Sequence, residues 1–273
     1  MVGARRFVRR RIVNASKIAL APNARLAVWA GVAIVIAAAL VPPDVLRLGG
    51  GREFALAPMP AVALSALWIF AFQSAFGAYA QRGNLLGGSS FLGLLGLAVL
   101  FALAGEFSHA LGALAIGAIA WIVLQRTGGN DLLARLCGIA CAACALLAMR
   151  DVTLTLFTPL ALFLPLLADA GLTAARPGRV HLYEIGARAG LRNDHVDWAY
   201  WFVGFQCFTA AIIAGEAARR ASALDVSQMS ESVARLTIAA TLAPVIVFAV
   251  LALFVFRVSS AVRQFAAGRG LAD

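Results

Sequence analysis

Apolar runs of about 20 residues recur along almost the whole chain and are separated by short polar segments. Inside a bilayer, only helices and closed barrels satisfy their own backbone hydrogen bonds. The runs are continuous Leu, Ala, Val and Phe, without the alternation of apolar and polar residues that is typical of barrel strands. The pattern therefore predicts an all-α fold, a polytopic integral membrane helix bundle.

The stretch 85–125 decides how often the chain crosses the membrane, because it is apolar except at 105–109. One helix over its whole length would be about 60 Å long, twice the thickness of the hydrocarbon core. The stretch therefore forms either two spans that turn at 105–109, or one span followed by a re-entrant segment.

The distribution of Arg and Lys favours the two-span alternative. With two spans, the loops on the inner side carry 17 basic residues and the outer loops carry 6, whereas a single crossing gives 12 and 11. Cytoplasmic loops are the ones enriched in Arg and Lys. The sequence thus predicts about eight transmembrane helices with both termini in the cytoplasm. The predicted spans cover residues 26–41, 61–80, 85–104, 110–124, 132–149, 152–170, 198–217 and 236–256.

Composition agrees with this pattern: 62% of the residues are hydrophobic, 13% are charged, and the mean hydropathy is +0.87. These values exclude an ordinary water-soluble domain. The net charge of +10 does not indicate nucleic acid, because the basic residues lie between apolar runs and near the N-terminus, where they face anionic lipid headgroups. The predicted partners are the lipid bilayer, including anionic headgroups, and other proteins of a membrane complex.

The chain divides into three parts. Residues 1–25 form a basic amphipathic segment suited to the membrane surface, residues 26–257 form the transmembrane domain, and residues 258–273 form a cytoplasmic tail. Within the transmembrane domain, 174–197 is the main cytoplasmic loop, and 44–60 is a turn-rich outer loop because it contains three consecutive Gly and two Pro.

Four ionisable residues are candidates for transport or proton handling. Glu106 and His109 lie three residues apart on one helical face at the turn of the central stretch. Asp169 and Glu216 lie near the ends of the sixth and seventh spans. Each is either a hydrated or Arg-paired boundary group or a functional group, since ionisable residues within a membrane are costly and often functional.

Two prolines, Pro159 and Pro165, predict a break in the sixth span, because proline lacks the N–H that a helix interior requires. Carbonyl groups freed by such a break, together with Asp169, would line a permeation path.

Cys137, Cys141 and Cys144 share one face of the fifth span. This spacing fits a soft-metal site, but it fits a stripe of small packing residues better, because Ala and Gly surround the three thiols. The sequence predicts no catalytic residue, no cofactor and no established metal site.

The first functional hypothesis is a non-catalytic multi-pass subunit of a larger transport, secretion or energy-transducing complex in the bacterial inner membrane, because the loops are short and enzyme motifs are missing. The alternative is a self-sufficient carrier that uses the broken sixth span and the boundary carboxylates. A third hypothesis is a membrane enzyme that acts on lipids through Glu106, Ser108 and His109.

Overall fold

The computed structural model describes residues 22–40, 42–50, 52–127, 130–175, 181–224 and 230–268. Most of the predicted N-terminal amphipathic segment and the end of the tail lie outside these ranges. The described elements are, in order, α1 (Pro22–Ala39), β1 (Val45–Gly49), β2 (Arg52–Ala55), α2 (Pro58–Ala78), α3 (Gly83–Leu103), α4 (Phe107–Thr127), α5 (Asp131–Asp151), α6 (Phe157–Leu162), α7 (Leu164–Ala174), α8 (Leu182–Arg188), α9 (Asn193–Ser222) and α10 (Glu231–Ala267).

Six of the helices in the described ranges, α2, α3, α4, α5, α9 and α10, are long and apolar enough to cross a membrane. The protein is therefore a multi-pass membrane protein with an all-α bundle, as the apolar runs predict. The predicted first and sixth spans correspond to shorter apolar helices, α1 and the pair α6 and α7.

The central stretch folds into two antiparallel helices, α3 and α4. Glycines show the pairing, since Gly87 lies against Trp121 and Gly117 lies against Leu94. The turn begins with Gly105 at φ +88°. The N–H of Glu106 donates to the Phe101 carbonyl at 2.9 Å, which is the Schellman end that glycine favours.

Other boundaries differ from the predicted ones. The segment 44–60, predicted as a turn-rich loop, contains an antiparallel hairpin in which Val45 pairs with Ala55. The strands are four and five residues long, too short for a clear alternating pattern. The helices α9 and α10 begin before the predicted spans and extend beyond them, to Ser222 and Ala267.

Glycines allow the helices to approach closely. A Cβ added at Gly93 of α3 would lie 2.2 Å from the ring of Phe163. A Cβ added at Gly138 of α5 would lie 2.9 Å from the Cα of Gln73 in α2. Small residues at such crossings let membrane helices gain dispersion contacts where there is no hydrophobic driving force between them.

Side-chain contacts define two opposite ends of the bundle. At the Glu106 end, His109 faces Asp151 at the C-terminus of α5, and Arg219 near the C-terminus of α9 donates to the Leu103 carbonyl. At the Asp169 end, the C-terminal segments of α2, α7 and α10 meet α8 and the start of α9. Successive long segments therefore run in alternating directions.

Candidate functional site

The helix that carries Asp169 is interrupted. The first segment, α6, ends at Leu162 and the second, α7, begins at Leu164, with Phe163 between them at φ −105° and ψ 8°. Pro165 lies in the first turn of α7, where a helix needs no N–H donor and tolerates proline. The interruption predicted from Pro159 and Pro165 thus lies at Phe163.

Asp169 is 1% exposed and lies in the middle of α7. Two phenols donate hydrogen bonds to its Oδ2 atom, Tyr79 of α2 at 2.5 Å and Tyr200 of α9 at 3.0 Å. Because both donors are on other helices, the carboxylate joins three helices at one point.

Positively charged and backbone donors complete the shell of Asp169. Arg263 of α10 donates from Nη2 to Oδ1 at 3.0 Å, and the backbone N–H of Leu182 donates to the same oxygen at 3.3 Å. The Nδ1 atom of His181, the residue before α8, lies 3.2 Å from Oδ2. A buried charge is tolerated only when it is paired and hydrogen-bonded, and Asp169 meets both conditions.

The five groups come from α2, α8, α9 and α10 and converge on α7. We call Asp169 with Tyr79, His181, Tyr200 and Arg263 the Asp169 cluster. A carboxylate in this position can hold a proton or keep its charge, and only the charged form makes an ion pair with Arg263 of α10.

A second group of polar side chains, centred on Asp197, lies beside the Asp169 cluster. Arg82, before α3, donates to Asp197 of α9 at 2.5 Å, and Asn84 donates to the other Asp197 oxygen at 2.8 Å. The Arg82 guanidinium also lies 5.3 Å from the ring centre of Tyr183. Burial, together with the neighbouring Glu184, raises the pKa of Tyr183 to about 12, so this phenol is neutral at physiological pH.

An apolar cavity of about 520 Å³ adjoins the Asp169 cluster, between α7, α8, α9 and α10. Its wall includes Pro165, Leu182 and Tyr200, which also belong to the break or the cluster or bond to it. A buried carboxylate thus lies next to a ligand-sized space.

The remaining predicted carboxylates lie at the Glu106 end. The Glu106 side chain is 44% exposed at the turn, and its Oε2 is 3.4 Å from Nδ1 of His109. Glu216 pairs with Arg219 at 2.8 Å and with Arg220 at 2.6 Å. The structure does not bring these groups together with Asp169.

The three predicted thiols are buried on one face of α5. The Sγ atom of Cys137 lies 3.4 Å from the Ser90 hydroxyl of α3. Over the described part of the chain, no group of three or more His, Cys, Asp or Glu side chains is arranged to hold a metal ion. The arrangement is that of small side chains at a helix contact.

Four members of the Asp169 cluster were missed from the sequence. Tyr79 lies at the end of a predicted span, Tyr200 lies near the start of another, His181 lies in the predicted loop, and Arg263 lies in the predicted tail. No short spacing relates them. Only Asp169 carried a signal, as a carboxylate in a proline-containing apolar run.

No protein-family model, curated protein or solved structure matches this chain. A functional proposal therefore rests on the geometry of the site.

Proposed function

We propose that this protein is a membrane carrier in which Asp169 handles the coupling charge. One observation carries the proposal: a carboxylate that is 1% exposed, with an Arg and a His beside it, lies on a helix that is interrupted six residues earlier, at Phe163. Ionisable groups inside membrane proteins are costly and commonly functional, and interrupted helices surround the substrate and ion sites of many transporters.

Protonation of Asp169 is the proposed switch. A proton on either carboxylate oxygen removes the negative charge that attracts Arg263. The phenols of Tyr79 and Tyr200 keep a hydrogen-bonding partner, but the charge pairing of α10 with α7 is lost. Because the helix is interrupted at Phe163, α7 can move without α6, which is the two-state element that such a switch needs.

A second cavity at the other end of the broken helix supports a path along it. This cavity has a volume of about 240 Å³ and lies beneath the β1–β2 hairpin, beside residues 153–155 that precede α6. Its wall carries hydroxyl and guanidinium groups from Thr153, Thr155, Ser222, Thr241, Arg47 and Arg219. A cavity with several polar groups on its wall thus lies at one end of α6 and α7, and the Asp169 cluster lies at the other.

Sidedness and location are part of the same proposal. The ratio of 17 to 6 basic residues favours eight crossings, with both termini and the Asp169 cluster on the cytoplasmic side. The cavity beneath the hairpin then faces outward. A bacterial inner membrane fits this arrangement of charges.

Charge neutralisation tests the carrier. The full chain is reconstituted in proteoliposomes with an entrapped pH-sensitive dye, and a panel of amino acids, sugars, organic cations and organic anions is added outside. We expect solute-dependent proton movement that is lost in Asp169→Asn. The matched control, Glu216→Gln, removes a paired carboxylate at the opposite end and should keep the movement. Uptake that survives neutralising Asp169, Glu106 and Glu216 together would contradict the mechanism.

A second proposal, a subunit of a larger membrane complex, is favoured by the outer helices. In their most apolar stretches, only 11% of α10 and 17% of α4 are buried. These faces fit either lipid or helices of a partner. Purification of the tagged protein in mild detergent tests the proposal, because a subunit should co-purify with a stoichiometric partner and a self-sufficient carrier should not.

A further inference from the structure

The apolar cavity beside the Asp169 cluster has the size and wall chemistry of a ligand site. Its volume of about 520 Å³ lies within the range of roughly 300 to 1,000 Å³ typical of small-molecule pockets. Its wall is mainly aliphatic and aromatic, and it includes Val196, Val203, Val255, Val258, Val262 and Phe265. Such a wall gains free energy from an apolar chain and offers little to a polar solute.

Polar groups occur at defined places on this wall. Ser259 of α10 lines the cavity and is 1% exposed. His195, in the first turn of α9, also lines the cavity and is exposed to solvent. The cavity therefore passes from an apolar interior to a rim that carries an imidazole.

The rim is basic. Arg192, immediately before α9, pairs at 2.8 Å with Asp194, and its side chain is 76% exposed. An ion pair this exposed contributes little stability, so the guanidinium can exchange Asp194 for another anion at small cost. His195, three residues after Arg192, lines the cavity itself. The start of α9 thus carries a guanidinium and an imidazole three residues apart at this edge of the cavity.

The opening lies at headgroup level. The exposed ring of Trp198 follows His195 by one helical turn, and amphipathic aromatic residues of this kind lie at the membrane–water interface. An apolar interior at acyl-chain depth and a basic rim at headgroup depth match an amphiphile with one apolar chain and an anionic head.

We propose that this cavity binds one acyl chain of an anionic glycerophospholipid, with the phosphate beside Arg192 and His195. The phosphate oxygens accept hydrogen bonds from the guanidinium, and the chain lies along the valine wall of α9 and α10. This site does not depend on what the protein transports, because it rests on the cavity and its rim.

Photocrosslinking tests the site. The full chain is placed in nanodiscs that contain phosphatidylglycerol with a diazirine on one acyl chain, and the adducts are mapped by mass spectrometry. We expect adducts on the cavity wall, and we expect their loss in Val258→Trp, which fills the cavity. The matched control is Val250→Trp on the same helix, an exposed position that does not line the cavity, and it should keep the adducts.

Further variants separate the alternatives. Ala261→Phe fills the same space from another position, so it decides the result if Val258→Trp does not fold. Arg192→Gln with His195→Gln should abolish the preference for phosphatidylglycerol over a phosphatidylcholine probe.

Adducts spread evenly over all exposed faces, or equal labelling by both probes in the unmodified protein, would overturn the proposal. A crosslink between the cavity wall and residues 1–21 of the same chain would also overturn the proposal. Adducts are mapped in the unmodified protein and in the cavity variants, whereas the carrier is tested by proton movement in Asp169→Asn, so failure of the carrier and failure of the lipid site are distinguishable.

Discussion

At the residue scale, Asp169 shows how a buried charge is made tolerable. Its two oxygens face two phenols, one backbone N–H, one guanidinium and one imidazole. Arg263 carries the full opposite charge and is itself largely buried, so each of the two groups is needed to offset the desolvation of the other.

This mutual dependence gives a prediction for Arg263. Replacing it in Arg263→Gln leaves Asp169 with less compensation, and we expect the free energy of unfolding to fall by about 3 to 5 kcal/mol, the usual cost of breaking a buried pair from one side. The double variant Asp169→Asn with Arg263→Gln should be more stable than Arg263→Gln alone, because no unpaired buried charge remains.

Unfolding by sodium dodecyl sulfate in mixed micelles, followed by tryptophan fluorescence, measures both variants. Arg220→Gln is the control, since it removes an exposed arginine that shares Glu216 with Arg219. A double variant less stable than Arg263→Gln would show that the pair is not coupled in this way.

At the element scale, the bundle depends on close helix contacts and on one interruption. Gly138 lets the backbone of α5 reach the backbone of α2, where a Cβ would lie 2.9 Å from both the Gln73 Cα and the Phe72 carbonyl oxygen. Backbone atoms cannot rotate away as a flexible side chain can, so the helices themselves must separate.

Two alanine substitutions therefore have opposite predicted effects. We expect Gly138→Ala to destabilise the protein by about 1 to 3 kcal/mol, because it overpacks the contact between α2 and α5. Gly112→Ala, in α4, has nothing within 4 Å of the added Cβ, so its better helix propensity should leave stability equal or raise it by up to about 1 kcal/mol. The same detergent titration compares them, and equal losses would contradict the assigned contact.

At the scale of the whole molecule, alternating segments place two kinds of polar site at opposite ends. The hairpin, the Glu106 turn and the Glu216 pairs lie at one end, and the Asp169 cluster lies at the other. The carrier proposal assigns the Asp169 end to the cytoplasm.

Surface labelling tests that assignment. In a background without the four native cysteines, Glu106→Cys should react with a membrane-impermeant maleimide in intact cells. Ala187→Cys, an exposed position in α8, should react only after permeabilisation. Labelling of both positions from the same side would contradict the predicted topology. A variant that keeps Cys141 as its single cysteine is the unreactive control, because this thiol is buried.

The sequence by itself determined the membrane environment, the helical class and the turn in the central stretch, because each depends on local composition and periodicity. Apolar runs of this length favour a lipid environment and a helical structure whatever the tertiary fold. Gly105 favours the end of α3 because glycine readily adopts its positive φ. The sequence also singled out Asp169 and the interruption near Pro165.

Only the tertiary structure decided which groups surround Asp169. Tyr79 and Arg263 are 90 and 94 residues away along the chain, and the packing of α2 and α10 against α7 brings them together. The hairpin and the long ends of α9 and α10 also depend on distant contacts, such as the hydrogen bond from Gly50 to the Thr241 carbonyl. Local patterns could not reveal these features, because a polar residue at the end of an apolar run has the same appearance whether it faces water or a buried carboxylate.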